Sequence, residues 1–180
     1  MSKRFTKGSK QIVFYDPKRA SRRKCGPCSA CCTAPSLRAR GAKEFDQICP
    51  HRATGKKNGC AIYNERPEDC QVYTCFWREG FLKTIHRPDK LGVILDTGDA
   101  SLYKIQHEAG LKQPPMLARE AWDGAFAKKE FKKLRDLIAS QYVIILVQTK
   151  ASGKKSATYG PTEEIRDKVI AAIRNLPEDV

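Results

Sequence analysis

No run of apolar residues in this chain approaches the roughly 20 that a helix needs to cross a bilayer. The opening Met1-Ser2-Lys3-Arg4 leads into no apolar segment of the roughly 7–15 residues that drive secretion. We therefore expect neither a membrane-spanning nor a Sec-exported protein, and a cytoplasmic location. The chain has no Gly-x-Ser-x-Gly and no His-Glu-x-x-His, so the signatures of a hydrolase nucleophile elbow and of a zinc protease are missing. Ser152-Gly153-Lys154-Lys155-Ser156 lacks the upstream glycine of a phosphate loop and places lysine where Ser or Thr must hold magnesium; it reads as a turn. There is no internal repeat. Cysteine is absent from the last 105 residues, and acidic residues are scarce, 20 against 34 Lys and Arg.

What is present fits an ordinary globular chain. At 41% hydrophobic and 30% charged, the 180 residues can form one compact domain or two small halves sharing a surface. The two unusual features are a formal charge of +14 and eight cysteines, and they occupy different places. Residues 1–24 carry nine Lys and Arg against one Asp, while all eight cysteines fall between Cys25 and Cys75. This divides the chain into a basic arm (1–24), a cysteine-rich module (25–80) and an α+β part (81–180).

In a reducing cytosol structural disulfides are rare, so eight thiols within 51 residues read as metal ligands rather than as bridges or merely buried side chains. The module is poor in periodic hydrophobics, and bound metal would supply the order its own core cannot. Cys25-Gly26-Pro27-Cys28-Ser29-Ala30-Cys31-Cys32 holds two overlapping CxxC units, whose two-residue spacer lets a tight turn aim both sulfurs at one point. Adjacent side chains diverge in most backbones, so Cys31 and Cys32 are expected to serve different sites, unless one does not ligate. Pro67, with Glu68 and Asp69, is placed to start a helix. On a helix continued through residue 75, Cys70 and Cys75 would point about 140° apart. Cys25, Cys28, Cys31, Cys32, Cys49, Cys60, Cys70 and Cys75 could thus fill two four-coordinate sites, with His51 as a further candidate ligand. Zinc, about two ions, is the first reading. A 4Fe–4S cluster is the alternative, because Cys25, Cys28 and Cys31 have ferredoxin spacing although the proline-linked fourth ligand is missing.

These residues carry a resemblance. CxxCxxCC, then Cys49-Pro50-His51, then Gly59-Cys60-Ala61-Ile62-Tyr63 and Arg66-Pro67-Glu68-Asp69-Cys70 resemble the bacterial CxxCxxCC cysteine-cluster family (YkgJ-like), described as zinc- or iron-chelating. The match covers residues 25–77; Arg87–Val93 and Arg119–Ala125 resemble the C-terminal half of some members more weakly. The resemblance implies metal binding, and in one distant relative of the family such a cluster accompanies an enzyme. The basic arm is outside the family pattern.

Within the arm, Gln11–Tyr15 reads as a short strand, and Lys18, Arg19, Arg22, Arg23 and Lys24 are the candidate nucleic-acid-binding residues, since cations neutralise phosphate without regard to sequence. An acidic protein surface would serve equally, as would a solvated tail. Downstream, Leu91–Leu95 and Ser101–Ile105 read as a hairpin about Asp96-Thr97-Gly98-Asp99. Phe126–Ala139 reads as a helix burying Phe126, Phe131, Leu134, Leu137 and Ile138, its lysine-rich opposite face simply solvated. Tyr142–Val147 reads as a central strand, and a closing helix follows Thr162 as N-cap. Trp77, Trp122 and Phe76 read as packing residues. The expected fold is α+β, a metal-organised cysteine module on a small mixed sheet with two helices. The expected function is structural metal binding with a basic surface for a polyanion such as nucleic acid or a nucleoprotein assembly; an iron–sulfur redox or transferase enzyme, or metal storage and delivery, are the alternatives.

Overall fold

The computed structural model describes residues 17–34, 48–53, 59–98, 100–150 and 153–176. The strand expected at Gln11–Tyr15 lies outside them. In chain order the elements are α1 (Pro17–Arg22), α2 (Ala30–Thr33), β1 (Arg52–Ala53), β2 (Gly59–Cys60), α3 (Glu68–Val72), α4 (Pro88–Leu91), β3 (Val93–Asp96), α5 (Ala100–Glu108), β4 (Met116–Glu120), α6 (Lys129–Ala139), β5 (Ile144–Lys150), β6 (Gly153–Tyr159) and α7 (Glu163–Arg174). The fold is mixed α and β, in accord with the α+β expectation.

A four-stranded sheet of order β3-β4-β5-β6 is the centre of the molecule. β4 and β5 are parallel, with α6 on the connection, and the two outer pairs are antiparallel, so the sheet is mixed. Side chains alternate across it, as strand geometry requires. Val93, Leu95, Met116, Ala118, Ile144 and Leu146 face α6, joining Phe131, Leu134 and Ile138. Leu117, Ile145 and Val147 face the other way and pack with Leu102 and Ile105 of α5 and Val169 and Ala172 of α7. β5 is therefore the doubly covered strand that its apolar run implies. α7 begins as expected, the Thr162 hydroxyl accepting the Ile165 N–H at 3.2 Å.

Two expectations need correction. Ser101–Ile105 is helical: it lies in α5, where Leu102 and Ile105 stand at helical spacing and are buried, so that three helices (α5, α6 and α7) rather than the expected two cover the sheet. The Asp96 carboxylate accepts the Gly98 N–H at 2.8 Å, and this turn leads into the helix instead of folding back. The partner of β3 is instead β4, which has no β-branched residue and follows two prolines, so strand propensity did not announce it. In α6, Lys128 is extended and the helix starts only at Lys129; Leu137 is 42% exposed, at the margin of the buried stripe.

The cysteine module joins the sheet along β3. The Phe76 N–H donates to Leu95 O at 2.8 Å on that edge. Phe76 and Trp77 pack on the α6 side, Ala30 and Ala34 pack on Ile94 on the opposite side, and Cys75 touches both clusters. Tyr73 donates its hydroxyl to Asp96 at 2.7 Å, and Arg119 also reaches that carboxylate at 3.4 Å. This pull on Tyr73 accompanies the extended backbone that ends α3 at Val72.

Candidate metal centre

Four short pieces of chain hold the eight cysteines, all of them described and none in a disulfide. The first is the turn Cys25-Gly26-Pro27-Cys28, closed by Cys28 N–H to Cys25 O at 2.9 Å, with Gly26 at φ 51°. The second is α2, which carries Cys31 and Cys32. The third is the hairpin of β1 and β2, with Cys49 just before it and Cys60 opposite Arg52. The fourth is α3 and its exit, with Cys70 inside the helix and Cys75 beyond it.

Backbone contacts bring these pieces together. Cys49 N–H donates to Cys32 O at 2.8 Å, tying the hairpin to α2. Gly59 has φ +135° and lies so close to the first turn that a Cβ there would stand 2.8 Å from Gly26 O. Only glycine satisfies both the torsion and the gap. The spacing of the cysteines does not reveal this approach.

The thiols sort into two neighbourhoods. Burial pushes Cys75 up to about 12, opposed by an N–H from Arg78, and the nearby Cys28, Cys25 and Cys31 add to the rise. Burial likewise pushes Cys28 up to about 11 against N–H donors from Ala30 and Asp89. Cys32 is raised by a hydrogen bond with the Cys31 thiol, then by burial and by Cys49 and Cys60. Cys70 is raised by burial, then by Cys31, Cys49 and Cys60. By these mutual influences Cys25, Cys28, Cys31 and Cys75 group together, as do Cys32, Cys49, Cys60 and Cys70, with Cys31 acting on both groups.

Three sequence expectations change in detail. Cys31 and Cys32 do not diverge: their thiols turn together across the roughly 100° between consecutive helical residues. Cys70 and Cys75 do not share a helix, since α3 ends at Val72, yet they do face different neighbours. Pro67 is the N-cap rather than the first helical residue, and its carbonyl accepts the N–H of Cys70 at 2.9 Å. His51 is half-buried at the hairpin, its carbonyl accepting from Ala61 at 2.9 Å. Among the described residues, no three Cys, His, Asp or Glu side chains converge closely enough to enclose an ion as they stand.

The N–H donors to sulfur were not legible as functional residues. Ala30 and Arg78 sit two and three residues after their cysteines, but Asp89 is remote and arrives through α4, where Pro88 takes the first position. The Arg87 guanidinium grips the Asp89 carboxylate at 2.5 Å on both oxygens. Arg87–Val93 and Arg119–Ala125 meet one another at Gly92, where a Cβ would lie 2.6 Å from that of Ala125 and 2.9 Å from the Trp122 ring. Trp122 is 37% exposed, whereas Phe76 and Trp77 are buried as expected.

Among the basic residues, Lys18, Arg22 and Lys24 are exposed, and Arg19 lies in α1. Arg23 is the correction. It is 7% exposed, donates to Trp77 O and, at 2.6 Å, to Leu82 O, and lies 4.7 Å from the Trp77 ring centroid. It braces α1 against the core and is not available to a phosphate. Compared with known proteins, the chain matches no family model, no curated protein and no solved structure.

Proposed function

We propose that the chain is a metal-binding cysteine-cluster protein in which metal has a structural role, and that its basic surface meets a polyanion, nucleic acid or a nucleoprotein assembly. The observation that supports the metal reading is that backbone contacts bring together four separate pieces of chain that carry eight thiols, none of them in a disulfide. The donor set fits a thiophilic ion: sulfur ligands, partly buried, suit zinc or iron and not magnesium or calcium. Cys25, Cys28, Cys31 and Cys75 would hold one ion, and Cys32, Cys49, Cys60 and Cys70 the other. Each ion would supply positive charge to sulfurs that otherwise oppose one another's ionisation, and would convert binding free energy into folding free energy. The N–H groups of Ala30, Asp89 and Arg78 steady the anionic form of their sulfurs. The resemblance to the CxxCxxCC cysteine-cluster family supports the same reading.

One observation favours a second reading for the first neighbourhood. Cys75 stands as a remote fourth partner to the CxxCxxC of Cys25, Cys28 and Cys31, which is the ligand count of an iron–sulfur cubane. Metal analysis and an absorption spectrum on untagged protein purified without oxygen separate the two. About two colourless zinc ions per chain are expected. Iron with sulfide and absorption near about 400 nm overturns zinc and turns the search to redox or transferase chemistry. Metal that a weak chelator removes while the fold persists overturns the structural role in favour of storage or delivery.

A further inference from the structure

The two faces of the sheet carry different charge. α5 and α7 cover one face with four Lys and Arg and four Asp and Glu, and pair several of them: Lys168 with Glu164 at 2.7 Å, Lys104 with Glu108 at 3.9 Å and Arg166 with Glu163 at 3.9 Å. α6 and its N-cap cover the other with Lys128, Lys129, Lys132, Lys133 and Arg135 against Glu130 and Asp136. The four lysines are exposed. Among the described residues Lys129, Lys132 and Lys133 make no ion pair, Arg135 pairing with its neighbour Asp136 at 2.6 Å. The buried Arg23 pins the end of α1 to Trp77, which belongs to the same core layer as Phe131, Leu134 and Ile138 of α6. Arg22 and Lys24, which flank Arg23 in the chain, are exposed.

We infer that the lysine face of α6, with Arg22 and Lys24, is a contact surface for a nucleic-acid phosphate backbone; this rests on the polyanion reading above and gives it a location beyond the arm. Charge complementarity chooses the occupant. Protein interfaces draw on aromatic and arginine anchors and are depleted in lysine. Affinity for nucleic acid instead follows the number of cations brought to phosphates. A row of unpaired lysines suits the second.

The test uses the full metal-loaded chain and fluorescein-labelled mixed-sequence duplex DNA and single-stranded RNA, read by anisotropy from about 50 to 200 mM salt. The triple variant Lys129→Glu, Lys132→Glu and Lys133→Glu should bind at least about tenfold more weakly at the low end, and its plot of log K against log salt should be shallower by about 2 to 3. A control with the same change in net charge on the opposite face, Lys104→Glu, Lys168→Glu and Arg174→Glu, should keep the slope. If the glutamates destabilise α6, the corresponding Lys→Gln triple removes three charges and must still flatten the slope. Equal weakening by the control overturns the inference, as does tighter binding to polyglutamate than to either nucleic acid. An unchanged slope in the α6 variant together with loss of binding in Arg22→Glu/Lys24→Glu overturns the α6 surface and leaves the arm reading standing. No binding by the unaltered chain at about 50 mM salt overturns both.

Discussion

Among the described residues between Cys25 and Gly80 the longest element is the five-residue α3, whereas between Phe81 and Leu176 there are two seven-residue strands and a twelve-residue helix. The difference extends to burial. Of the 28 buried hydrophobic residues among those described, five lie in the cysteine region, and only Phe76 and Trp77 of these are large. Both project into the sheet core, not into a core of the region's own. The sheet half is ordered by apolar burial on two faces, each buried Leu, Ile or Phe stabilising it by about 1.5–3 kcal/mol. The cysteine half is ordered by backbone contacts between short pieces, by two seams, Arg23 to Trp77 and Leu82 and Tyr73 to Asp96 of β3, and on our reading by metal. The two regions should therefore respond differently to perturbation.

The largest effect should come from stripping the metal, since a structural zinc contributes on the order of 10 kcal/mol. Hydrogen exchange should then show protection lost across 25–80, while β4 and β5 remain protected. Uniform loss in both regions would make them one cooperative unit; no loss in either would remove metal as the source of order. Next is Gly59→Ala. It forces a side chain to φ +135° and against Gly26 O, and it should cost about 4 kcal/mol through torsional strain and overpacking. The loss should appear as weaker metal retention against a competing chelator, with the sheet half intact.

The seams come third and fourth. Arg23→Ala removes two hydrogen bonds from a charged donor and leaves the Trp77 and Leu82 carbonyls without it, for about 3 kcal/mol. Arg23→Lys should recover little, because an ammonium cannot reproduce the planar fork. Equilibrium denaturation of the two variants measures both statements. Tyr73→Phe deletes the hydroxyl that donates to Asp96. Although the Tyr73 side chain is half-buried overall, that hydroxyl is enclosed, and its pKa is held well above the usual range by burial and then by Asp96. Arg119 and the Gly98 N–H still serve the carboxylate, so the cost should be about 1–2 kcal/mol. A larger loss would mean that the seam at Tyr73 outranks the one at Arg23.

The same contrast governs what was legible beforehand. Elements whose signal is local were readable: β5 from its continuous apolar run, α7 from Thr162 and its stripe. Elements decided by partners were not. Ser101–Ile105 has residues acceptable in a strand, and only burial of Leu102 and Ile105 against β4, β5 and α7 selects a helix. Met116–Glu120 is a strand because β3 and β5 flank it, not because of its composition. In the cysteine region the candidate donors were legible from residue type and spacing, but their sorting was not. It depends on contacts such as Gly59 with Gly26 and Cys49 with Cys32, between residues far apart in the chain. Arg23 looked like its neighbours because a buried cation differs from an exposed one only through its partners.

The smallest effect concerns pH, and it belongs to the short stretch that leads from the cysteine region into the sheet. His86 closes the 3-10 turn Thr84–His86. Its Nδ1 is buried with no hydrogen-bond partner among the described residues, and its pKa is lowered, first by burial and then by Lys83. In the unfolded chain the imidazole takes its proton near about pH 6.5. The folded chain takes it only at lower pH, so below that value the unfolded state binds more protons. The contribution of His86 is thus fully present above about pH 6.5 and is lost as pH falls through the folded pKa. Acid also competes with metal for the thiolates, and that loss affects every version of the chain alike. Comparing thermal midpoints of the native chain and His86→Leu between about pH 7.5 and 5.5 separates the two. The native chain should lose more stability than the variant over this interval. Equal losses would assign the whole acid sensitivity to the cysteine region and none to the connection that follows it.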